Sequence, residues 1–172
     1  MKGVKVFDDV AVDFWGAEHI EAVAEVGLFK GYNDNTFKPN QPITRAELAT
    51  VIAKYLKITT YPEYKVLVKN FNDISGHWAE ANIAEIYRYD IIKGYEDNAF
   101  RPNNTITREE TITMVNQMLH RGPLMGVKPS FPDNVESNWS FGHVEEATNT
   151  HKSYYNEDGS ETLIEINTEG IW

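Results

Sequence analysis

No cysteine occurs among the 172 residues, which excludes disulfides and thiolate metal sites. No apolar run reaches the length needed to span a bilayer. Positive charge is scarce: 16 Lys and Arg stand against 26 Asp and Glu, a formal net charge of −10. The field of such a chain repels phosphates, which argues against nucleic acid and anionic membranes as partners. Any anion it binds must be met by a few locally placed cations. The opening MKGVKVFDDV lacks the apolar core of a signal peptide and reads as the start of a piece excised from a longer protein. Any export signal is then expected outside it.

The chain has enough hydrophobic residues, 41%, and aromatics, 12%, for one compact domain or a short repeat array. Self-similarity decides for repeats. Residues 7 to 58 and 71 to 121 align, with Gly31 on Gly94, Pro39 on Pro102 and Arg45 on Arg108, each about 63 positions apart. Phe7 aligns with Phe71 and Trp15 with Trp78 after a one-residue gap. A third copy starts at Phe131, where Phe131, Asp133 and Trp139 keep the spacing of Phe7, Asp9 and Trp15. It then breaks off, without KGY, F-x-P-N or ITRAE.

Each full repeat reads as helix, loop, helix. Ile20, Val23, Ala24 and Gly27 recur at helical spacing, as do Ile83, Ile86 and Tyr87. Residues 30 to 42, rich in Gly, Asn, Asp and Pro, form a loop. Second helices are expected from Arg45 to about Leu56, with Leu48, Val51, Ile52 and Tyr55 on one face, and from Arg108 to about Leu119. Linkers are expected around 59 to 70 and 121 to 130. The tail alternates about Asp158-Gly159 and predicts a hairpin from Tyr154 to Ile166. The class is mainly α.

The pentapeptides ITRAE (43 to 47) and ITREE (106 to 110) carry the chemistry. Thr44 with Glu47, and Thr107 with Glu110, are capping boxes, each worth about 1 kcal/mol. Arg45 and Arg108 do not fit a purely structural account. A cation at a helix start opposes the dipole, at about 0.3–1 kcal/mol. Together with free first-turn amides, however, it attracts anions. Lys30 and Lys93, before the GY pairs, and Lys38 and Arg101, before P-N, bring the cations of each segment to three. The competing account pairs each Arg with an acid of a neighbouring repeat. Gly31 and Gly94 are expected to supply positive φ or close approach. Phe37 and Phe100 should anchor the loops, and Asp9, Asp73 and Asp133 should cap the turn before the first helix. The three tryptophans are expected to plug helix interfaces, with sugar stacking a lesser role for Trp78 and Trp139.

The ordered string F-x-D, W, KGY, D, F-x-P-N, ITRAE, present twice, resembles the S-layer homology (SLH) family. That resemblance implies one domain over 1–172: two full motifs and a degenerate third at 131–172 that includes the hairpin. It implies a pseudo-threefold, three-pronged spindle. It also implies non-covalent anchoring of exported proteins to secondary cell-wall polymers, often pyruvylated, outside the cell in a Gram-positive-type envelope. Grooves between motifs are then expected to bind the glycan. Arg45 and Glu47 would face Trp78, and Arg108 and Glu110 would face Trp139, with Thr44, Thr107, Lys30, Lys93, Gly31 and Gly94 nearby. Expected partners are a cell-wall polysaccharide or peptidoglycan and a fused or associated surface protein. Neither nucleic acid nor membrane insertion is expected, and the chain is expected to be monomeric.

An enzyme is not expected. None of His19, His77, His120, His143 and His151 sits in a metal or nucleophile motif, and HVEEATNTH reads as one helix without facing ligands. No cofactor and no metal are therefore expected. The alternatives are a calcium-binding or protein-docking module. GYNDNTFKPN and GYEDNAFRPN hold oxygen donors, but lack the alternating acids and closing Glu of an EF-hand loop.

Overall fold

The computed structural model describes residues 7–57 and 71–167, so the linker expected at 59–70 lies outside the described residues. Among these described residues five helices and a small sheet follow in the order α1 (Ala17–Glu25), α2 (Arg45–Tyr55), α3 (Glu80–Arg88), α4 (Arg108–Met118), β1 (Leu124–Met125), α5 (Phe141–Thr148), β2 (His151–Tyr155) and β3 (Glu161–Ile166). Helices α1, α3 and α5 each begin two residues after a tryptophan. Their cap residues Gly16, Ala79 and Ser140 share nearly one backbone geometry, with φ of −96°, −94° and −93°.

The larger core runs across the sequence repeat. Leu48, Ala49, Ile52 and Ala53 of α2 pack with Ile83 and Ile86 of α3 and with Phe71, Ile92 and Phe100. Helix α2 also touches α4, and α4 packs on α5. Held between two neighbours, α2 buries alanines on a second side, while Tyr55, expected on its apolar face, is 49% exposed. Near α1 a separate small cluster joins Phe7, Val10 and Ile20 to Phe37.

Two expectations about anchors part company. Phe100 is fully buried, and Phe37 packs against Phe7. Asp9 and Asp73 do not cap their own turns. The Asp9 carboxylate accepts the amides of Phe37 (2.8 Å) and Lys38 (2.7 Å), and Asp73 accepts those of Phe100 (2.8 Å) and Arg101 (2.7 Å). Each aspartate thus closes its F-x-P-N loop from some 28 residues away. Lys38 and Arg101 adopt φ of 57° and 58° there.

The tail hairpin forms as the alternation predicts, with Tyr155 opposite Glu161 and a bulge at Lys152/Ser153. The expected linker 121–130 is partly a strand instead: β1 adds to β3 in parallel, giving the order β1-β3-β2. Two residues are too few for a periodic signal, and pairing depends on the distant β3. Leu124, Val127 and Leu163 seat this sheet on Phe141 of α5. No helix among the described residues is long and apolar enough to cross a membrane.

Candidate functional site

Both capping boxes are present. The Thr44 hydroxyl accepts the Glu47 amide at 3.2 Å while the Glu47 carboxylate takes the Thr44 amide at 2.7 Å. Thr107 and Glu110 do the same at 3.2 and 2.9 Å. Beyond the caps the helix starts differ. The Arg45 amide donates to the Asn104 carbonyl and the Ala46 amide to the Pro102 carbonyl, both at 3.0 Å. The first amides of α2 are therefore consumed by the second repeat's loop, which corrects the expectation that they stay open to an anion.

The Arg45 side chain follows its backbone into that loop. Its Nε donates to the Phe100 carbonyl at 2.8 Å, its Nη1 lies 3.0 Å from Glu110 Oε1, and the guanidinium covers the Tyr95 and Phe100 rings. Only 6% of the side chain is exposed. The account that paired Arg45 with a neighbouring acid holds for this residue. Arg108 is exposed, and among the described residues it has no ion pair, nor do the amides of Arg108 and Glu109 find a carbonyl. The chain after α4 carries no KGY or F-x-P-N loop to supply one.

Glu110 links the two repeats. Besides its cap and Arg45, it accepts the Tyr95 hydroxyl. Burial pushes its carboxyl up, but the Thr107 amide, Tyr95 and Arg45 outweigh that and hold it below the ordinary glutamate value. Burial and the Glu110 carboxylate raise the Tyr95 phenol.

Above this pair opens a groove of about 880 Å³, between the 92–101 loop, α4 and the start of α5. Arg45, Lys93, Gly94, Glu110 and Trp139 line it, together with Tyr95, Arg101, Glu109 and His143. The reach of Arg45 over the second loop brings it to this groove with Trp139, and Trp78 does not line it. Lys30, Gly31, Thr44, Glu47, Trp78, Thr107 and Arg108 do not line it. The tryptophans are not interface plugs: Trp15, Trp78 and Trp139 are 85%, 64% and 62% exposed, because each sits on the turn ahead of its helix.

Of the groove's cations, Arg45 is paired inside and Arg101 is paired with Asp97 at 3.1 Å while lying 3.9 Å over Tyr95. Lys93 is exposed and has no ion pair among the described residues. Burial, then the Lys93 charge, hold His143 below the ordinary imidazole value, and its buried Nδ1 has no hydrogen-bond partner. Glu109 accepts the buried Ser140 hydroxyl at 2.8 Å. Gly94 lets the loop pass: a Cβ would strike the Phe71 ring and stand 2.8 Å from the Ala99 carbonyl. Gly31 needs the same room and adds a φ of 67°. Asp34 and Asp97 serve their own loops, accepting the Thr36 and Ala99 amides and pairing with Lys38 and Arg101.

Sequence reasoning missed Glu109 and His143. Both reach the groove only through the packing of α4 on α5, which leaves no local pattern; Tyr95 was legible as the last letter of KGY.

Two helical repeats, joined where the loop of the second completes the helix start of the first, lie beside a groove of about 880 Å³. The S-layer homology domain model matches residues 7–49 and 70–112, together half of the chain, and the chain belongs to that family. It is similar to cell surface glycoprotein 1 of Acetivibrio thermocellus, 39% identical over 169 residues, covering 93% of this chain and 7% of that protein. It is also similar to the cellulosome-anchoring protein of the same organism, 39% identical over 160 residues, covering 92% of this chain and 36% of that protein. With the S-layer protein sap of Bacillus anthracis it shares 32% identity over 137 residues, covering 78% and 16%. The chain therefore spans a minor part of each of these relatives.

Proposed function

We propose that this chain is a non-catalytic, non-covalent anchoring module that holds a surface protein to the cell wall from outside the cell. Its ligand is an anionic secondary cell-wall polymer carrying pyruvate ketals, seated in the groove beside Trp139. Residues 131–172 act as a shortened third motif, completing a pseudo-threefold arrangement with the hairpin in place of a full prong. Relatives named for cell-surface, anchoring and S-layer roles support this reading.

The observation that carries it is an exposed indole and a Lys93 without an ion pair among the described residues, both on one groove of about 880 Å³. The indole offers a stacking face to a sugar ring. A ketal carboxylate meets Lys93 first. It can then displace Asp97 from Arg101, since a pair whose side chains are 44% and 56% exposed contributes only about 0–1 kcal/mol. Arg45 is not displaced. Buried and bound to a carbonyl, it fixes Tyr95 and Glu110 as the groove floor, and Arg108 contributes only to the surrounding field.

The test is co-sedimentation with wall sacculi before and after the polymer is stripped. Binding is expected to need the polymer, and to weaken about tenfold or more, equivalent to ~1.4 kcal/mol, in the Lys93→Ala/Trp139→Ala variant. Mild acid removal of the ketals should have a similar effect. Undiminished binding of the variant would refute the groove assignment; equal binding to stripped sacculi would make peptidoglycan the ligand.

A further inference from the structure

The tail folds around a cluster that the groove does not use. Glu146 near the end of α5, His151 at the start of β2 and Glu161 at the start of β3 bring one donor atom each within 4.8 Å of one another. The reading of HVEEATNTH as a single helix is corrected here: α5 ends at Thr148, and His151 turns back onto Glu146. The side chains of Glu146, His151 and Glu161 are 2%, 4% and 4% exposed.

The donors are aimed. His151 Nδ1 lies 2.8 Å from the Asn149 carbonyl oxygen, which only accepts, so Nδ1 carries a proton. Nε2 then faces Glu146 Oε2 at 2.9 Å and Glu161 Oε2 at 3.6 Å. The other carboxylate oxygens are fastened elsewhere. Glu146 Oε1 accepts from Arg121, and Glu161 Oε1 accepts the Gly122 amide at 2.9 Å. Ser153 additionally donates to Glu161 Oε2. Glu146 Oε2 remains buried without a hydrogen-bond partner, because its contact with His151 has ion-pair distance but not hydrogen-bond geometry. Burial keeps the Glu146 carboxyl above its ordinary value despite Arg121. Arg121 offsets one of the two carboxylate charges, and only a cation held at His151 Nε2, a proton or a metal ion, can meet the other.

The geometry points to a divalent transition-metal site of the Zn²⁺ type, ligated by Glu146 Oε2, His151 Nε2 and Glu161 Oε2. Tetrahedral donors about 2.0–2.1 Å from zinc stand about 3.3–3.4 Å apart, and the two separations from Nε2 bracket that spacing. Metal-bound histidines are oriented through their other nitrogen, as His151 is by Asn149. A mixed nitrogen and oxygen set favours Zn²⁺ over Ca²⁺ or Mg²⁺, which take oxygen ligands. Water takes the fourth position, and the ion staples both strands to α5.

The test strips the chain with EDTA and titrates it with Zn²⁺ by calorimetry and thermal melting, with Ca²⁺ and Mg²⁺ as controls. One Zn²⁺ per chain and a raised Tm are expected, with no response to the controls. In histidine ring ¹⁵N spectra, Nε2 of His151 should shift while Nδ1 keeps its proton. His151→Gln should weaken zinc binding by about a hundredfold or more, beyond the 10–100-fold that loss of an outer partner causes. No stoichiometric uptake by the unaltered chain would overturn the site, as would unchanged affinity in the folded variant, which would move the ion to another histidine such as His77. If His151→Gln fails to fold by circular dichroism, an unmoved Nε2 in the unaltered chain overturns it.

Discussion

The starts of α2 and α4 carry nearly the same pentapeptide and the same capping box, yet they live in opposite surroundings. At α2 the loop of the next repeat takes the first two amides and the arginine, and almost nothing is left exposed. At α4 no such loop follows, and Arg108 stands in solvent. An identical local signal therefore specifies a joint in one place and a free end in the other. What differs is whether a downstream KGY-to-P-N segment exists to dock.

The largest expected difference is between the arginines themselves. Arg45→Ala takes the ion-pair partner from Glu110, which keeps Tyr95 and the Thr107 amide, and the side-chain donor from the Phe100 carbonyl; breaking a buried pair costs about 3–5 kcal/mol. Arg108→Ala should stay within about 0.5 kcal/mol. Urea denaturation of the two variants measures the gap, and equal midpoints would break the comparison. Next comes Gly94→Ala, which overpacks Phe71 and the Ala99 carbonyl behind the joint and should cost about 1–3 kcal/mol in the same assay.

Acid supplies a third probe. The Glu110 carboxyl is held below its unfolded value, so its contribution is complete above that value and is lost as pH falls through the folded one. Urea midpoints should drop below the ordinary glutamate range, and Glu110→Gln should flatten that drop. The smallest effect is expected from the caps. Thr44→Ala and Thr107→Ala should each cost about 1 kcal/mol. A thermal melt showing a much larger loss at Thr107 would mean that α4 depends on its cap in a way α2 does not.

Much of this was legible in the sequence. Periodicity and the capping boxes placed α2 and α4 to within a residue or two, and the Asp158-Gly159 pair placed the hairpin. The groove was legible only in part. Lys93, Glu110 and Trp139 were named, but the meeting of Arg45 with Trp139 was not, because a repeat in sequence does not say how far a side chain reaches across a joint. Asp9 and Asp73 misled for the same reason: their partners lie in loops far along the chain. Strand β1 and the turn of His151 toward Glu146 depend on tertiary pairing and had no periodic trace.

Because α2 packs on α3 while its first amides end on the loop before α4, the physical unit is out of phase with the written repeat. A chimera built by swapping whole repeats at residues 59–70 would cut through the shared core. Crossovers placed inside the 30–42 loop would keep each helix with the neighbour that finishes it, and those hybrids are the ones to build.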